Sequence, residues 1–186
     1  MRSFIAISLP PPIQTYLTQL QDELKAAGAD VKWVEPANIH LTLKFLGEIN
    51  EQILGKVNTA MRETCAGMKP FALSLASLGA FPSTNSPRVI WIGIQEGKDE
   101  ATAVADRLEK KLVPLGMIAD HPFAAHITLG RVRTGKNRKE LAQKLQQPLP
   151  GETPVSFLVD RITLYESKLS PHGPTYLNHG DVPFSL

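Results

Sequence analysis

Two copies of a short pattern, His-x-Thr-x, occur in this chain: His40-Leu41-Thr42-Leu43 and His126-Ile127-Thr128-Leu129. They use two of the five histidines, and each lies in an apolar run that reads as a strand. Alternate side chains of a strand share a face. His and Thr therefore point one way, while Leu41, Leu43, Ile127 and Leu129 point the other way into a core. Two such strands side by side place two imidazoles and two hydroxyls in one cleft. Imidazole has an unperturbed pKa of about 6.5, so near neutrality it can hold or release a proton. Hydrolysis of a cyclic phosphodiester needs both acts. One group takes a proton from water as it attacks phosphorus, and another gives a proton to the departing oxygen. Two histidines flanking the phosphate do this without a metal, each contributing on the order of 10²–10⁴-fold. Activity then depends on pH as a bell. Threonine hydroxyls on the same faces would donate to the non-bridging oxygens and stabilise developing charge. One copy of so short a pattern is usually incidental. Two copies, at matching places in a repeated order of elements, point to function.

The elements that must position these groups follow from apolar spacing and turn residues. Residues 3–9 read as a strand stopped by Pro10, Pro11 and Pro12. Ile13, Tyr16, Leu17, Leu20, Leu24 and Ala27 fall on one face of a helix over residues 13–27, with Gly28 at its end. Short strands follow at 31–34 and, after a turn at Pro36 and Asn38, at 39–46, where Gly47 stops the first motif strand. Asn50 is placed to cap a helix over 51–66. Strands at 70–79 and 88–95 flank a loop from Phe81 to Pro87. A helix at 98–113 precedes the second motif strand, 123–133. A basic helix (136–147), a long strand (155–166), a turn from Ser170 to Pro174 and a short strand at 175–177 complete the chain. The order is β-α-β-β-α-β-β-α-β-α-β-β, with a strand, a helix, the motif strand and another helix around each motif. This faint duplication and the short connections predict an α+β fold with helices covering the outer faces of sheets.

Composition sets the wider bounds. The chain has 186 residues, 42% hydrophobic and 20% charged, enough for a sizeable core in one domain or two small lobes. A net charge of +2 permits anionic ligands without implying a non-specific nucleic-acid binder. Cys65 is the only cysteine, which excludes an intramolecular disulfide and a cysteine zinc cluster. The apolar stretch at the N-terminus is too short for a signal peptide, and no run approaches the ~20 apolar residues of a membrane span. The expectation is a soluble, cytoplasmic monomer, since no heptad seam or long apolar stripe is present. No cofactor is expected. Two histidines without Asp, Glu or Cys at ligand spacing make a poor zinc site, and although Asp120 and His121 lie near His126, no metal is expected.

The motif-bearing blocks resemble the two-histidine (2H) phosphoesterase superfamily. Within it they are similar to the RNA 2′,3′-cyclic phosphodiesterases, historically described as 2′–5′ RNA ligases. The resemblance runs through Arg2-Ser-Phe-Ile-Ala-Ile, Trp33 to Gly47 (WVEPANIHLTLKFLG), Arg88-Val-Ile-Trp91, Phe123 to Arg131 (FAAHITLGR), Leu164 to Leu169 and Gly173 to Tyr176. It implies two pseudo-symmetric lobes, each an antiparallel sheet backed by helices, around a V-shaped cleft. Residues 1–186 would then form a single bilobal domain, duplicated around 40–43 and 126–129. The resemblance also implies that His40 is the proton donor and His126 the proton acceptor. The substrate would be RNA ending in a 2′,3′-cyclic phosphate, opened to a 2′-phosphate as the 3′ oxygen departs. The near-symmetry of the motifs makes the reverse assignment equally sensible chemically. Many members have proline just before the second histidine, where this chain has Ala125.

Other residues carry two readings each. Lys44 lies two residues past Thr42, so alternation aims it at the cleft, to attract phosphate or simply to be solvated. Strand parity sets Arg131 opposite His126 unless the strand bends after Gly130. The family often has arginine here, which suggests phosphate or backbone binding. Phe45 has core parity. Trp33 and Tyr165 would stack on a base or belong to the core. The basic run Arg131, Arg133, Lys136, Arg138 and Lys139 would track an RNA backbone or form a solvated helix face. His172 and His179 read as surface residues, and His121 is given no role. Three functions remain open. They are hydrolysis of RNA cyclic phosphate ends with weak reverse 2′–5′ joining, action on a small cyclic nucleotide or 2′–5′ oligonucleotide, and a non-catalytic nucleotide- or RNA-binding module. A basic stripe leading out of the cleft would favour RNA.

Overall fold

The computed structural model describes residues 1–119, 122–151 and 155–186. The elements in chain order are Arg2–Ser8 (β1), Pro11–Lys25 (α1), Val31–Trp33 (β2), His40–Glu48 (β3), Glu51–Cys65 (α2), Phe71–Ser83 (β4), Ser86–Ile94 (β5), Lys98–Leu112 (α3), His126–Val132 (β6), Arg138–Leu145 (α4), Ser156–Val159 (β7), Arg161–Ser170 (β8) and Gly173–Pro183 (β9). The helices begin where local chemistry allows. Prolines occupy the first turn of α1, where a missing N–H costs nothing and φ is already set. The Asn50 side chain accepts from the Ile53 N–H at 2.9 Å and caps α2. Asp99 and Glu100 in the first turn of α3, with Lys110 and Lys111 in its last, oppose the helix dipole.

The strands form two antiparallel sheets. One runs β3-β1-β8-β9 and the other β2-β6-β5-β4-β7. Each motif strand lies in a different sheet, yet β3 and β6 approach each other directly. Helix α2 packs behind β8 and β9, α4 behind β4 and β5, and α3 lies against both α2 and β3. A single apolar core runs from Ile5, Ile7 and Leu41 in the first sheet to Ile90, Ile92 and Ile127 in the second.

Three boundaries depart from the sequence reading. The apolar run at 155–166 is two strands, because the chain leaves the ladder at Asp160. There the Asp160 carbonyl accepts from the Phe184 N–H at 2.8 Å. The two pieces, β7 and β8, then join different sheets. The Phe81–Pro87 stretch is the end of a hairpin rather than an open loop, with Phe81 paired to Val89 and Ser83 to Ser86. The last strand extends over Gly173–Pro183 as the full-length partner of β8.

Candidate active site

The two motif strands sit in matching ladders. β1 pairs with β3 through Ser8↔His40, Ala6↔Thr42, Ile5↔Lys44 and Phe4↔Phe45. β5 pairs with β6 through Gly93↔His126, Trp91↔Thr128, Ile90↔Gly130 and Val89↔Arg131. In both ladders the register shifts just after the motif threonine, so that Leu43 and Leu129 are the extra residues. Such a β-bulge breaks the simple alternation of sides. His and Thr of each motif face the cleft, the next two residues turn to the core side, and the fifth residue past each histidine returns to the cleft.

The two imidazoles are held alike. His40 Nδ1 lies 2.6 Å from the Asn38 carbonyl oxygen, and His126 Nδ1 lies 2.6 Å from that of Ala124. A carbonyl only accepts, so each Nδ1 carries the proton and each neutral imidazole keeps the Nε2 lone pair for the cleft. His40 Nε2 lies 2.8 Å from Thr42 Oγ1. Burial lowers the pKa of His40, partly opposed by its bond to the Asn38 carbonyl. Aromatic rings line both walls. Phe4 stacks on His40 at 4.7 Å and on Tyr165 at 5.3 Å, and Tyr176 meets His40 edge-on at 5.4 Å. On the other wall Phe81 meets His126 edge-on at 5.2 Å and Trp91 lies 6.2 Å from it. The Trp91 ring covers Gly79, where even a Cβ would come within 2.3 Å of it.

The family model for LigT-like phosphoesterases matches twice in tandem, at residues 7–91 and 92–176. The chain belongs to this family. It is 37% identical over 177 residues to a protein of Archaeoglobus fulgidus named RNA 2′,3′-cyclic phosphodiesterase, covering 95% of this chain and 96% of that one. A protein of the same name from Methanothermobacter thermautotrophicus is 34% identical over 176 residues, with 95% of each chain covered. Among solved structures, TT0787 of Thermus thermophilus superposes with a TM-score of 0.82 at 26% identity, covering 99% of this chain and 98% of that one. E. coli LigT complexed with 3′-AMP superposes with a TM-score of 0.82 at 25% identity, over 100% and 98%.

Within this LigT-like cleft the residues singled out from sequence separate. His40, Thr42, His126 and Thr128 are all half-buried, on the faces of β3 and β6 opposite the core leucines, and these two strands approach each other. Tyr165 lines the cleft, its ring against Phe4 and its hydroxyl 2.7 Å from Ser8 Oγ. Arg131 reaches the cleft face because the Leu129 bulge supplies the bend that simple parity lacked. Lys44 does not face the cleft. The Leu43 bulge turns it inward, where it is 2% exposed, donates to the Ile118 carbonyl at 2.7 Å and pairs with Glu109 at 2.6 Å. The same shift overturns the core reading of Phe45, which is 63% exposed on the cleft side. Trp33 is paired with Gly130 and packs against the core, on the face opposite His126, so it cannot stack on a substrate there.

His172 is exposed, and His179 pairs with Glu166 at 2.9 Å. Asp120 and His121 lie outside the described residues. Among the described residues no group of three His, Cys, Asp or Glu could hold a metal ion. Among the described residues no helix is long and apolar enough to cross a membrane.

Several contributors escaped the sequence reading. Phe45, Phe81 and Tyr176 line the cleft, but aromatic residues in strands give no hint of their face once a bulge intervenes. The Asn38 side chain donates to the Pro174 carbonyl at 2.8 Å, anchoring the carbonyl that orients His40 to the β8–β9 hairpin. Buried Gln21 donates to the carbonyls of Val34 and Leu129, each at 2.9 Å. It thereby satisfies the backbone at the second bulge. A glutamine on the apolar side of a helix was the one available signal.

Proposed function

We propose that this protein hydrolyses 2′,3′-cyclic phosphate at RNA ends to a 2′-phosphate, without a metal. The observation that carries the reading is the matched pair of imidazoles, each with its proton fixed on Nδ1 by a backbone carbonyl, which leaves Nε2 as the working atom; before substrate binds, His40 Nε2 accepts from the Thr42 hydroxyl. Water attacks phosphorus and gives a proton to His126 Nε2. The bond from phosphorus to O3′ breaks, and O3′ takes a proton from His40 Nε2. The histidines then exchange protons with solvent to restore the starting state. Thr42 and Thr128 donate to the non-bridging oxygens as charge develops. Arg131 attracts the phosphate, and Tyr165 with exposed Phe45 offers aromatic surface to the terminal base. The reverse reaction, 2′–5′ joining, is the weaker one in water by mass action. The names of the relatives and the 3′-AMP complex of E. coli LigT support a nucleotide-bearing substrate. We place the protein in the cytoplasm as a monomer, one bilobal domain.

The test is turnover of a short RNA ending in a 2′,3′-cyclic phosphate, in EDTA, by wild type, His40→Ala and His126→Ala. Wild type should yield a 2′-phosphate, and each variant should lose at least ~10²-fold. Loss of wild-type activity in EDTA, or a fully active variant, would defeat the mechanism.

A further inference from the structure

As far as the fifth residue past each histidine the two ladders match in register but not in chemistry. Five residues beyond His40 stands Phe45, and at the same place beyond His126 stands Arg131. Arg131 is on the cleft face, and alternation carries Arg133 to the same side. Lys32 in β2 is the cross-strand neighbour of Arg131 and therefore shares that face, whereas Val31 and Trp33 turn to the core side against Gly130. All three cations are exposed. The Arg133 N–H donates to the Asp30 carbonyl, which sets Asp30 opposite Arg133 and leaves the strip with an excess of positive charge. In the first sheet the position that matches Arg131 is aromatic, Phe45, with Phe4 beside it. Beyond the motifs, the first wall therefore offers an aromatic surface and the second a cationic one. The structure also divides the basic run seen in the sequence. Arg138 and Lys139 belong to α4, which packs behind β4 and β5, away from the strip.

Resting on the catalytic reading above, we infer that Lys32, Arg131 and Arg133 form a phosphate track for the RNA chain on the 5′ side of the reacting nucleotide. A 2′,3′-cyclic phosphate closes the 3′ end, so the rest of the strand leaves on its 5′ side. It exits along β6, from His126 towards and past Val132, with its backbone against the second sheet and its bases towards Phe45. At roughly 3.3 Å per residue, with one residue absorbed by the bulge, His126 to Arg133 spans about 20 Å. That is longer than a terminal nucleotide, so a mononucleotide cannot engage the whole track. Each phosphate met by a cation releases condensed counterions, which gives the contact its salt dependence.

The experiment compares a nucleoside 2′,3′-cyclic monophosphate with a ten-nucleotide RNA carrying the same end, at graded salt, using wild type, Lys32→Glu/Arg133→Glu and Lys32→Arg/Arg133→Lys. The charge reversal should lower kcat/KM for the RNA at least tenfold at low salt and leave mononucleotide turnover within twofold. The log–log salt slope for RNA should flatten by about 1.4, two single-strand contacts at ~0.7 each. The charge-conserving pair should keep the RNA preference. Equal loss on both substrates, or no loss on either, overturns the track. Anisotropy of a labelled RNA with a 3′-phosphate end reads the track without turnover. If wild type hydrolyses neither substrate, the catalytic reading fails, while weaker RNA binding by the charge reversal still supports the track and unchanged binding rejects it.

Discussion

Burial acts on His40 before any substrate arrives. Its pKa is held below the ordinary histidine value, first by loss of solvent, with the Asn38 carbonyl only partly opposing. Near neutral pH the free protein therefore presents His40 as a base, although a proton donor needs a second proton on Nε2. An anionic phosphodiester beside Nε2 would supply the missing stabilisation, because a nearby opposite charge favours the imidazolium. Binding and protonation are then coupled. His40 should titrate below 6.5 in the free protein and at a higher pH once a 3′-nucleotide or inorganic phosphate occupies the cleft, as followed by NMR of the imidazole C–H signals. A His40 titration that ligand leaves unmoved would transfer the acid role to His126. The positive charges of Arg131 and Arg2 act in the same electrostatic setting, since both offset the burial that raises the Tyr176 hydroxyl.

At the scale of the elements, the residue inserted just after each motif threonine decides three neighbouring side chains. His40, Thr42, His126 and Thr128 were legible because they precede the bulges, where alternation still holds. Lys44, Phe45 and Arg131 lie beyond them, and nothing in Leu43 or Leu129 distinguishes an extra residue from an ordinary core leucine. The carbonyl groups bonded by Gln21 and the inward turn of Lys44 are tertiary facts, invisible to periodicity. Lys44 now reads as a bolt between β3 and the helix packed against it, since Glu109 belongs to α3 and Ile118 to the segment that follows it. Removing one partner from a buried ion pair strands the other charge, at a cost of about 3–5 kcal/mol. With Glu109 still 30% exposed, the lower figure is expected. Lys44→Met keeps the stem's packing and should lose about 3 kcal/mol in urea unfolding, with Glu109→Gln in the same background recovering part of it. A loss below about 0.5 kcal/mol, the scale of an ordinary surface substitution, would make the pair incidental.

At the scale of the whole molecule, the tandem match at 7–91 and 92–176 invites a picture of two independent halves, and the topology opposes it. β1 and β3 share their sheet with β8 and β9 from the far end of the chain. β2 crosses to the other sheet to pair with β6. β5 pairs with β6 across the boundary between the two matches. Cutting at that boundary would expose sheet edges in both pieces and open a core that is continuous between the sheets. The α+β class and the repeated order of elements were readable from the sequence. This interleaving was not, because apolar spacing assigns a strand to a sheet face and never names its neighbours. Unfolding should therefore be a single cooperative event, with calorimetric and van't Hoff enthalpies in agreement. Residues 1–91 and 92–186 expressed apart should each lack dispersed, native-like amide spectra. Two resolved thermal transitions, or one half that folds alone, would show that duplication produced separable lobes. The cleft between the motif strands would then depend on how the lobes dock rather than on the shared sheets that hold His40 and His126 in place.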